Sequence, residues 1–249
     1  MSLPASFLTR PFAHRGLHDV ADGRPENSLV AARAAIANGY GIELDVQITA
    51  DAEAVVFHDY ELDRLTEATG IVRRRTLADL RKVRLKGGSE GIPSLSEFLA
   101  VVAGQVPILL EIKDQDGALG KDVGPLERAV AKTIGGYRGD VAVMSFNPHS
   151  VAAMKALSPE CQRGLVTEAF PAQGWAASEP VLQRLREIPD YVRTGSVFIS
   201  HQVSDLSRPR VAELRQGGAT VICWTVRSPE EERAARLMSD NVTFEGYLA

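Results

Sequence analysis

Three acidic residues on two short apolar segments are the first candidates for chemistry. Glu43 and Asp45 are separated by one residue in the segment 41–46, and Glu111 lies in the segment 107–112. In a β-strand alternate side chains share a face, so each acid would lie opposite its aliphatic neighbours. Buried carboxylates repel one another, and a hard divalent cation relieves that repulsion. A solvated face of an edge strand is the alternative explanation of the first pair.

Two histidines end other apolar segments. His14 ends the segment 11–14, and His58 ends the segment 54–58. Imidazoles titrate near neutral pH, so two of them beside one phosphorus atom can divide the work of general base and general acid. A single histidine at the end of a strand is more often a hydrogen-bonded structural residue. Two histidines together with three acids favour catalysis.

Other charged side chains nearby suit a phosphate group. Arg15 follows the first histidine, and its planar guanidinium can bind two phosphate oxygens if the strand has already ended, as Gly16 permits. Lys113 shares a face with Glu111 and can offset phosphate charge, although an internal ion pair between the two is the alternative. Glu26 lies where a helix starts, so capping is the simpler explanation unless its side chain turns back toward Arg15.

Composition excludes several other classes of protein. The 249 residues are 45% hydrophobic and 24% charged, as in ordinary globular proteins. The net charge is −4 and the longest basic run is Arg73 to Arg75, so nucleic acid is not an expected partner. Cys161 and Cys223 are too few and too far apart for a disulfide scaffold or a structural zinc site. Without a signal-peptide pattern or an apolar run of about 20 residues, we expect no integral membrane association and a cytoplasmic location.

Apolar segments alternate with amphipathic ones along the chain, which predicts strand–helix units around a parallel sheet. Eight strands are predicted, at residues 11–14, 41–46, 54–58, 107–112, 141–146, 162–166, 196–200 and 220–226. The main predicted helices are at residues 28–38, 94–102, 126–133, 148–156, 179–187, 208–216 and 229–238. Eight such units predict a (β/α)₈ TIM barrel that forms a single domain over residues 1–249. An open doubly wound sheet is the alternative, and the lack of a Gly-x-Gly-x-x-Gly turn argues against it.

Two parts of the chain depart from the regular repeat. The stretch between Asp45 and the strand at 54–58 is too short for a crossover helix, which needs about 10 residues or more, so this unit must be degenerate. Residues 59–92 are charged and irregular, and they predict a small insertion after the third strand.

Eight short segments, taken in order, resemble the glycerophosphodiester phosphodiesterase family. They are Ala13-His14-Arg15-Gly16, Pro25-Glu26-Asn27-Ser28, Glu43-Leu44-Asp45-Val46, Val56-Phe57-His58-Asp59, Ile92-Pro93-Ser94-Leu95, Leu110-Glu111-Ile112-Lys113, Ser145-Phe146 and Trp224-Thr225-Val226. Each segment is weak alone, but together they cover nearly the whole chain. The resemblance implies a barrel with a small insertion after the third strand.

By position in these motifs, the resemblance implies roles for nine residues. The acid–base pair is His14 and His58. The ligands of a divalent metal ion, Mg²⁺ or Ca²⁺ with Mn²⁺ as a further candidate, are Glu43, Asp45 and Glu111. The substrate contacts are Arg15, Lys113 and Trp224, although Trp224 is equally compatible with a place in the core. The acid that supports the site is Glu26.

The resemblance implies hydrolysis of small glycerophosphodiesters to sn-glycerol 3-phosphate and an alcohol. Two other functions stay open: a lysophospholipid or phosphoinositide phosphodiesterase, and a catalytically silent barrel that binds a phosphodiester. Residues 240–247 depart from the family's usual Asp-Gly-Ile-Ile-Thr-Asp sequence. None of the nine residues lies there, so we expect this segment to affect specificity more than chemistry. The sequence leaves the oligomeric state open.

Overall fold

Eight parallel strands close into a ring in the computed structural model, which describes residues 2–249. The strands are β1 (Phe12–Ala13), β2 (Gly41–Ile48), β3 (Ala54–Val56), β4 (Ile108–Ile112), β5 (Val141–Ser145), β6 (Gln162–Thr167), β7 (Phe198–Gln202), β8 (Thr220–Val226) and β9 (Asn241–Phe244). The ring follows the order β1, β2, β4, β5, β6, β7, β8 and β9, and the pairing of β9 with β1 closes it. The predicted TIM barrel is therefore confirmed.

Helices fill the connections between the strands. They are α1 (Ser6–Thr9), α2 (Leu29–Ala37), α3 (Leu77–Leu80), α4 (Leu95–Val102), α5 (Pro125–Ile134), α6 (Pro148–Leu157), α7 (Glu179–Arg186), α8 (Tyr191–Thr194), α9 (Pro209–Gln216) and α10 (Pro229–Ala235). Three short 3₁₀ helices are Val20–Asp22, Val72–Arg74 and Val203–Asp205. The capping box of α4 is present, because Ser94 Oγ accepts from the Glu97 amide and the Glu97 carboxylate accepts from the Ser94 amide. No helix within residues 2–249 is long and apolar enough to cross a membrane.

The third predicted strand lies outside the ring, so its placement as a barrel strand is wrong. β3 runs antiparallel to β2, with Val46 opposite Val56. A tight turn joins the two strands, in which the Thr49 amide donates to the Glu53 carbonyl. The degenerate unit expected from the short connection is thus an antiparallel hairpin, and α4 makes the crossover from it to β4.

The eighth strand of the ring is β9, in a part of the chain where the apolar pattern predicts no strand. Asn241 and Thr243 alternate along it with Val242 and Phe244. The polar pair points into the barrel, whereas Val242 and Phe244 belong to the apolar layer between strands and helices. β9 is only four residues long and half polar, so its apolar pattern is too weak to be recognised from the sequence.

The inside of the barrel has its own apolar core, separate from the larger layer beneath the helices. Its buried residues include Phe7, Phe12, Leu109, Met144 and Phe198. Helix α1 closes the amino end of the barrel, since Phe7 packs on Phe12 with ring centroids 5.7 Å apart. Asn241 holds α1 there, because its side-chain amide donates to the carbonyl oxygens of Phe7 and Arg10. Helix α1 is therefore fixed against the amino ends of the barrel strands.

Packing inside the barrel predicts a strong effect at Gly164 in β6. A Cβ atom at this position would lie 2.6 Å from the buried ring of Phe198 on β7. We therefore expect Gly164→Ala to lower the free energy of unfolding by about 1–3 kcal/mol, measured by urea unfolding. Gly136→Ala is the matched control, because a Cβ there meets nothing within 4 Å. Equal stability of the two variants would contradict the tight packing.

The insertion at residues 59–92 follows β3, as predicted, and has a small apolar core of its own. The buried members of this core are Val55, Phe57, Leu62, Val72, Leu80, Leu85 and Ile92. Because this core includes Val55 of β3 and Phe57 just after it, the insertion packs against that strand, and its charged side chains, such as Arg64, lie beside the end of the strand.

Candidate active site

β2 and β4 bring three carboxylates together inside the barrel, toward the carboxyl ends of the strands. The strand register places Asp45 opposite Glu111, and Glu43 lies two residues earlier on the same face of β2. One oxygen of each carboxylate lies within 4.8 Å of the other two, and all three residues are buried. The predicted inward orientation is confirmed, and the alternative of a solvated edge strand is wrong.

The charges around the three acids act in opposite directions. Burial raises the pKa of Glu43 well above its usual range, and the negative charges of Asp45 and Glu111 raise it further. Burial also acts to raise the pKa of Asp45, but the positive charges of His58 and Lys113 outweigh it and hold that pKa below the usual range. Three buried carboxylates with oxygen donors only are a suitable ligand set for a hard divalent cation.

The two histidines line the same cavity as the three acids. Nδ1 of each ring forms a hydrogen bond with a carboxylate. The partner of His14 is Glu245, at 2.5 Å, and the partner of His58 is Asp59, at 2.6 Å. These bonds leave Nε2 of each ring as the atom available for proton transfer. Burial lowers the pKa of His14, although its hydrogen bond with Glu245 acts in the opposite direction. The lowered pKa favours the neutral form of His14.

Arg15 points into the site because β1 has already ended before it. Its φ of 56° and the φ of 79° at Gly16 turn the chain out of the strand, as expected. The guanidinium lies 2.5 Å from Glu26 Oε1 and 3.5 Å from Asp45 Oδ2. Glu26 thus turns back toward Arg15, which is the condition under which it belongs to the site.

Lys113 and Trp224 line the cavity on other sides. Lys113 Nζ lies 2.8 Å from Glu111 Oε1, so the ion pair considered from the sequence is present. The indole NH of Trp224 donates to the carbonyl of Ser200 at 2.9 Å. Its ring meets Phe146 edge to face, with centroids 5.6 Å apart. The structure therefore brings all nine predicted residues to one site, because Glu26 reaches it through Arg15.

Asn27 and Arg64 also belong to the site, although no role is predicted for them from the sequence. Asn27 is buried, and its side chain donates to Asp45 Oδ2 while accepting from the Asp45 amide. Arg64 comes from the insertion and binds both Glu26 and Asp59. The motif that contains Asn27 was a signal for that residue, whereas nothing in the sequence links Arg64 to the barrel.

Comparison with known proteins decides the family. The model of the glycerophosphoryl diester phosphodiesterase family matches residues 14–243. This chain belongs to that family. It is 32% identical over 177 residues to the glycerophosphodiester phosphodiesterase of Caldanaerobacter subterraneus, and the aligned region covers 67% of this chain and 70% of that protein. It is 28% identical over 248 residues to bovine glycerophosphodiester phosphodiesterase 1, covering 88% of this chain and 72% of that protein.

Solved structures show the same fold. An Oleispira antarctica phosphodiesterase, solved in complex with the product sn-glycerol-3-phosphate, matches with a TM-score of 0.79 and 24% identity, covering 98% of this chain and 95% of that one. A glycerophosphodiester phosphodiesterase from Thermotoga maritima matches with a TM-score of 0.70 and 22% identity, covering 94% of both chains. These similarities agree with the closed eight-stranded barrel.

Glu245 is a functional candidate that is absent from the nine predicted residues. Residues 240–247 were expected to affect specificity more than chemistry. In the structure, however, Glu245 of this segment forms a hydrogen bond with Nδ1 of His14. Glu245 also lies 2.8 Å from Arg227 and 3.7 Å from His18. The hydrogen bond from His14 and the nearby imidazole of His18 hold the pKa of Glu245 below its usual range. A signal was present, because the sixth residue of the family's usual sequence is also an acid.

Proposed function

We propose that this protein hydrolyses glycerophosphodiesters to sn-glycerol 3-phosphate and an alcohol, with a divalent metal ion and two histidines. The observation that carries the proposal is the shared cavity of about 150 Å³, which places a buried carboxylate triad beside two histidines held through Nδ1. Family membership supports the same reaction. The cytoplasmic location stays a prediction.

The triad of Glu43, Asp45 and Glu111 would hold the metal ion. Its oxygen-only donor set favours Mg²⁺ or Ca²⁺, with Mn²⁺ as a further candidate. When bound, the ion supplies positive charge that stabilises the phosphoryl oxygens in the transition state. Buried carboxylates that repel each other without a cation are consistent with this role.

The two histidines divide the proton transfers. The lowered pKa of His14 favours its neutral form, so its Nε2 accepts the proton from the attacking oxygen, which belongs to water or to the neighbouring glycerol hydroxyl. His58 is more exposed, with a side chain 29% accessible against 13% for His14. It gives a proton to the leaving alkoxide at the open side of the site. Incorporation of ¹⁸O from water in a single turnover would separate direct attack by water from a cyclic phosphate intermediate.

Cationic side chains hold the phosphate group. Arg15 presents a guanidinium that is already oriented by Glu26 and Asp45, so little freedom is lost when it binds phosphate oxygens. Lys113 offsets the remaining negative charge. Trp224, held by its bond to the Ser200 carbonyl, presents an apolar wall to the glycerol end.

The proposal is tested by release of sn-glycerol 3-phosphate from a panel of glycerophosphodiesters. Metal-stripped protein is assayed with and without Mg²⁺, Mn²⁺ or Ca²⁺, and metal-dependent release is the expected result. Release from lysophospholipids alone would support the lipid phosphodiesterase. Binding of the diester without turnover, by folded protein and with every metal, would support the silent barrel and contradict the proposal.

Glu245→Gln is expected to lower kcat by about tenfold or more with little change in KM. The carboxylate fixes the tautomer and orientation of His14 through Nδ1, and a neutral amide does this less well. Glu245→Asp keeps the charge and should retain more activity. The control is Glu230→Gln, which removes an exposed charge on α10. Unchanged kcat in Glu245→Gln would show that Glu245 does not position His14.

A further inference from the structure

One guanidinium of the insertion joins two carboxylates at the edge of the active site. Arg64 donates to Asp59 from Nε at 2.7 Å and from Nη2 at 2.8 Å, and it donates to Glu26 from Nη1 at 2.9 Å and from Nη2 at 3.0 Å. Glu26 in turn binds Arg15, and Asp59 binds His58. Among residues 2–249, only the side chain of Arg64 binds both carboxylates. A single residue thus connects the proposed phosphate ligand with the proposed acid.

The two carboxylates would repel each other without Arg64. Both accept a hydrogen bond from the same nitrogen, Nη2, so one oxygen of Glu26 lies close to one oxygen of Asp59. Burial acts to raise the pKa of both acids, but their cationic partners outweigh it and hold both pKa values below the usual range. Both acids are therefore ionised. The planar fork of a guanidinium suits two such carboxylates and offsets their repulsion.

The backbone on either side of Arg64 is fixed by the small apolar core of the insertion. Leu62 is fully buried in that core, and its carbonyl accepts a hydrogen bond from the Thr66 hydroxyl at 2.8 Å. The carbonyl of Leu65 accepts from the Lys86 amide at 2.8 Å. The side chain of Arg64 is 50% exposed, yet it extends from a folded support. A side chain that is held in this way can fix the orientation of its partners.

We propose that Arg64 is a positioning residue, which holds His58 in its working orientation through Asp59 and holds Arg15 through Glu26. The inference rests on the proposed function, because it assigns Arg64 to the same reaction. Arg64 does not line the active-site cavity, so its effect passes through the two acids. The insertion then contributes to catalysis from outside the barrel, by fixing groups that the barrel strands present.

Replacing Arg64 with glutamine is expected to lower kcat by about tenfold or more, with a smaller change in KM. A small misplacement of the group that donates the proton slows the reaction more than it weakens substrate binding. Arg64→Lys should recover little of the loss, because an ammonium group lacks the fork of donors that binds four oxygens. Unchanged kcat in folded Arg64→Gln would overturn the inference.

Arg81→Gln is the matched control. Arg81 lies in the same insertion, its side chain is 48% exposed, and it pairs with Glu97 outside the active-site cavity. Its replacement removes a similar charge and a similar ion pair, so kcat should stay within about twofold of the unaltered value. An equal loss of kcat in both variants would assign the effect to the insertion as a whole and reject a specific role for Arg64.

Chemical rescue distinguishes positioning from a contribution to the stability of the fold. Arg64→Ala leaves a gap between Asp59 and Glu26 at a half-exposed place, which guanidinium ion can enter from solvent. We expect guanidinium chloride at tens of millimolar, too dilute to denature, to raise kcat of this variant several-fold. Sodium chloride at equal ionic strength should not do so, and guanidinium should not activate the unaltered protein. A lack of rescue together with a lowered melting temperature would overturn the inference.

Proton NMR without substrate separates this inference from the proposed hydrolysis. The Nδ1 protons of His14 and His58 lie in short hydrogen bonds to carboxylates, so each should give a downfield signal, and His58→Ala identifies the second one. We expect Arg64→Gln to shift or broaden the signal of His58 and to leave that of His14 in place. This result without turnover of any glycerophosphodiester by the unaltered protein would reject the hydrolysis but support the positioning of His58. Turnover by the unaltered protein, with the same kcat and the same His58 signal in Arg64→Gln, would reject the inference alone.

Discussion

Replacing either His14 or His58 with alanine is expected to lower kcat by about 10²–10⁴-fold while the barrel stays folded. Both rings point into the cavity, and neither belongs to the apolar layers that stabilise the fold. The loss should therefore appear in the rate of phosphodiester cleavage and not in thermal unfolding. The two measurements are kcat on a glycerophosphodiester and the melting curve from circular dichroism.

His149→Ala is the control for the histidine variants. His149 lies on α6, away from the cavity, so its removal should leave kcat within about twofold. The double variant His14→Ala, His58→Ala sharpens the test, because residues that act on one transition state have non-additive effects. We expect the double variant to be little slower than the slower single variant. Near-normal rates in both single variants would reject their assignment as the acid–base pair.

The positions of the acids on β2 and β4 were predictable because strand alternation is a local property. The aliphatic residues that alternate with Glu43 and Asp45 needed an apolar partner layer, which sent the carboxylates to the other face. The order of the motifs along the chain then linked those acids to His14 and His58. Local periodicity and motif order thus sufficed for the residues that lie on or directly after strands.

Strand pairing was less predictable because distant parts of the chain decide it. β3 has the apolar composition of a barrel strand, yet the short turn from β2 forces an antiparallel pairing outside the ring. The polar residue Asn241 of β9 is explained by the carbonyl groups that it binds, those of Phe7 in α1 and of Arg10 just after that helix. Glu245 was not predicted for the same reason, because it contacts His14 from 231 positions away in the chain.

Adding Mg²⁺ or Ca²⁺ to metal-free protein is expected to raise its melting temperature, and Glu43→Gln should remove most of that increase. A ligand present at about 100 times its dissociation constant stabilises the folded state by about 2.7 kcal/mol. Glu43 would be one of three carboxylates around the ion, so its neutral analogue binds the ion less well. Differential scanning calorimetry measures this effect without any assay of activity.

Without metal, the same substitution should have the opposite effect on stability. Glu43 is buried beside Asp45 and Glu111, and both neighbours destabilise its charged form. Glutamine removes that charge, and its side-chain oxygen can still accept the hydrogen bond from the Arg15 amide. Metal-free Glu43→Gln should therefore be at least as stable as the unaltered protein. The control is Glu213→Gln, an exposed substitution on α9, which should leave both the stability and the metal-dependent increase in melting temperature unchanged. If Glu43→Gln kept the full metal-dependent increase, the ion would have to bind elsewhere, and no bound cation would relieve the repulsion among the three acids.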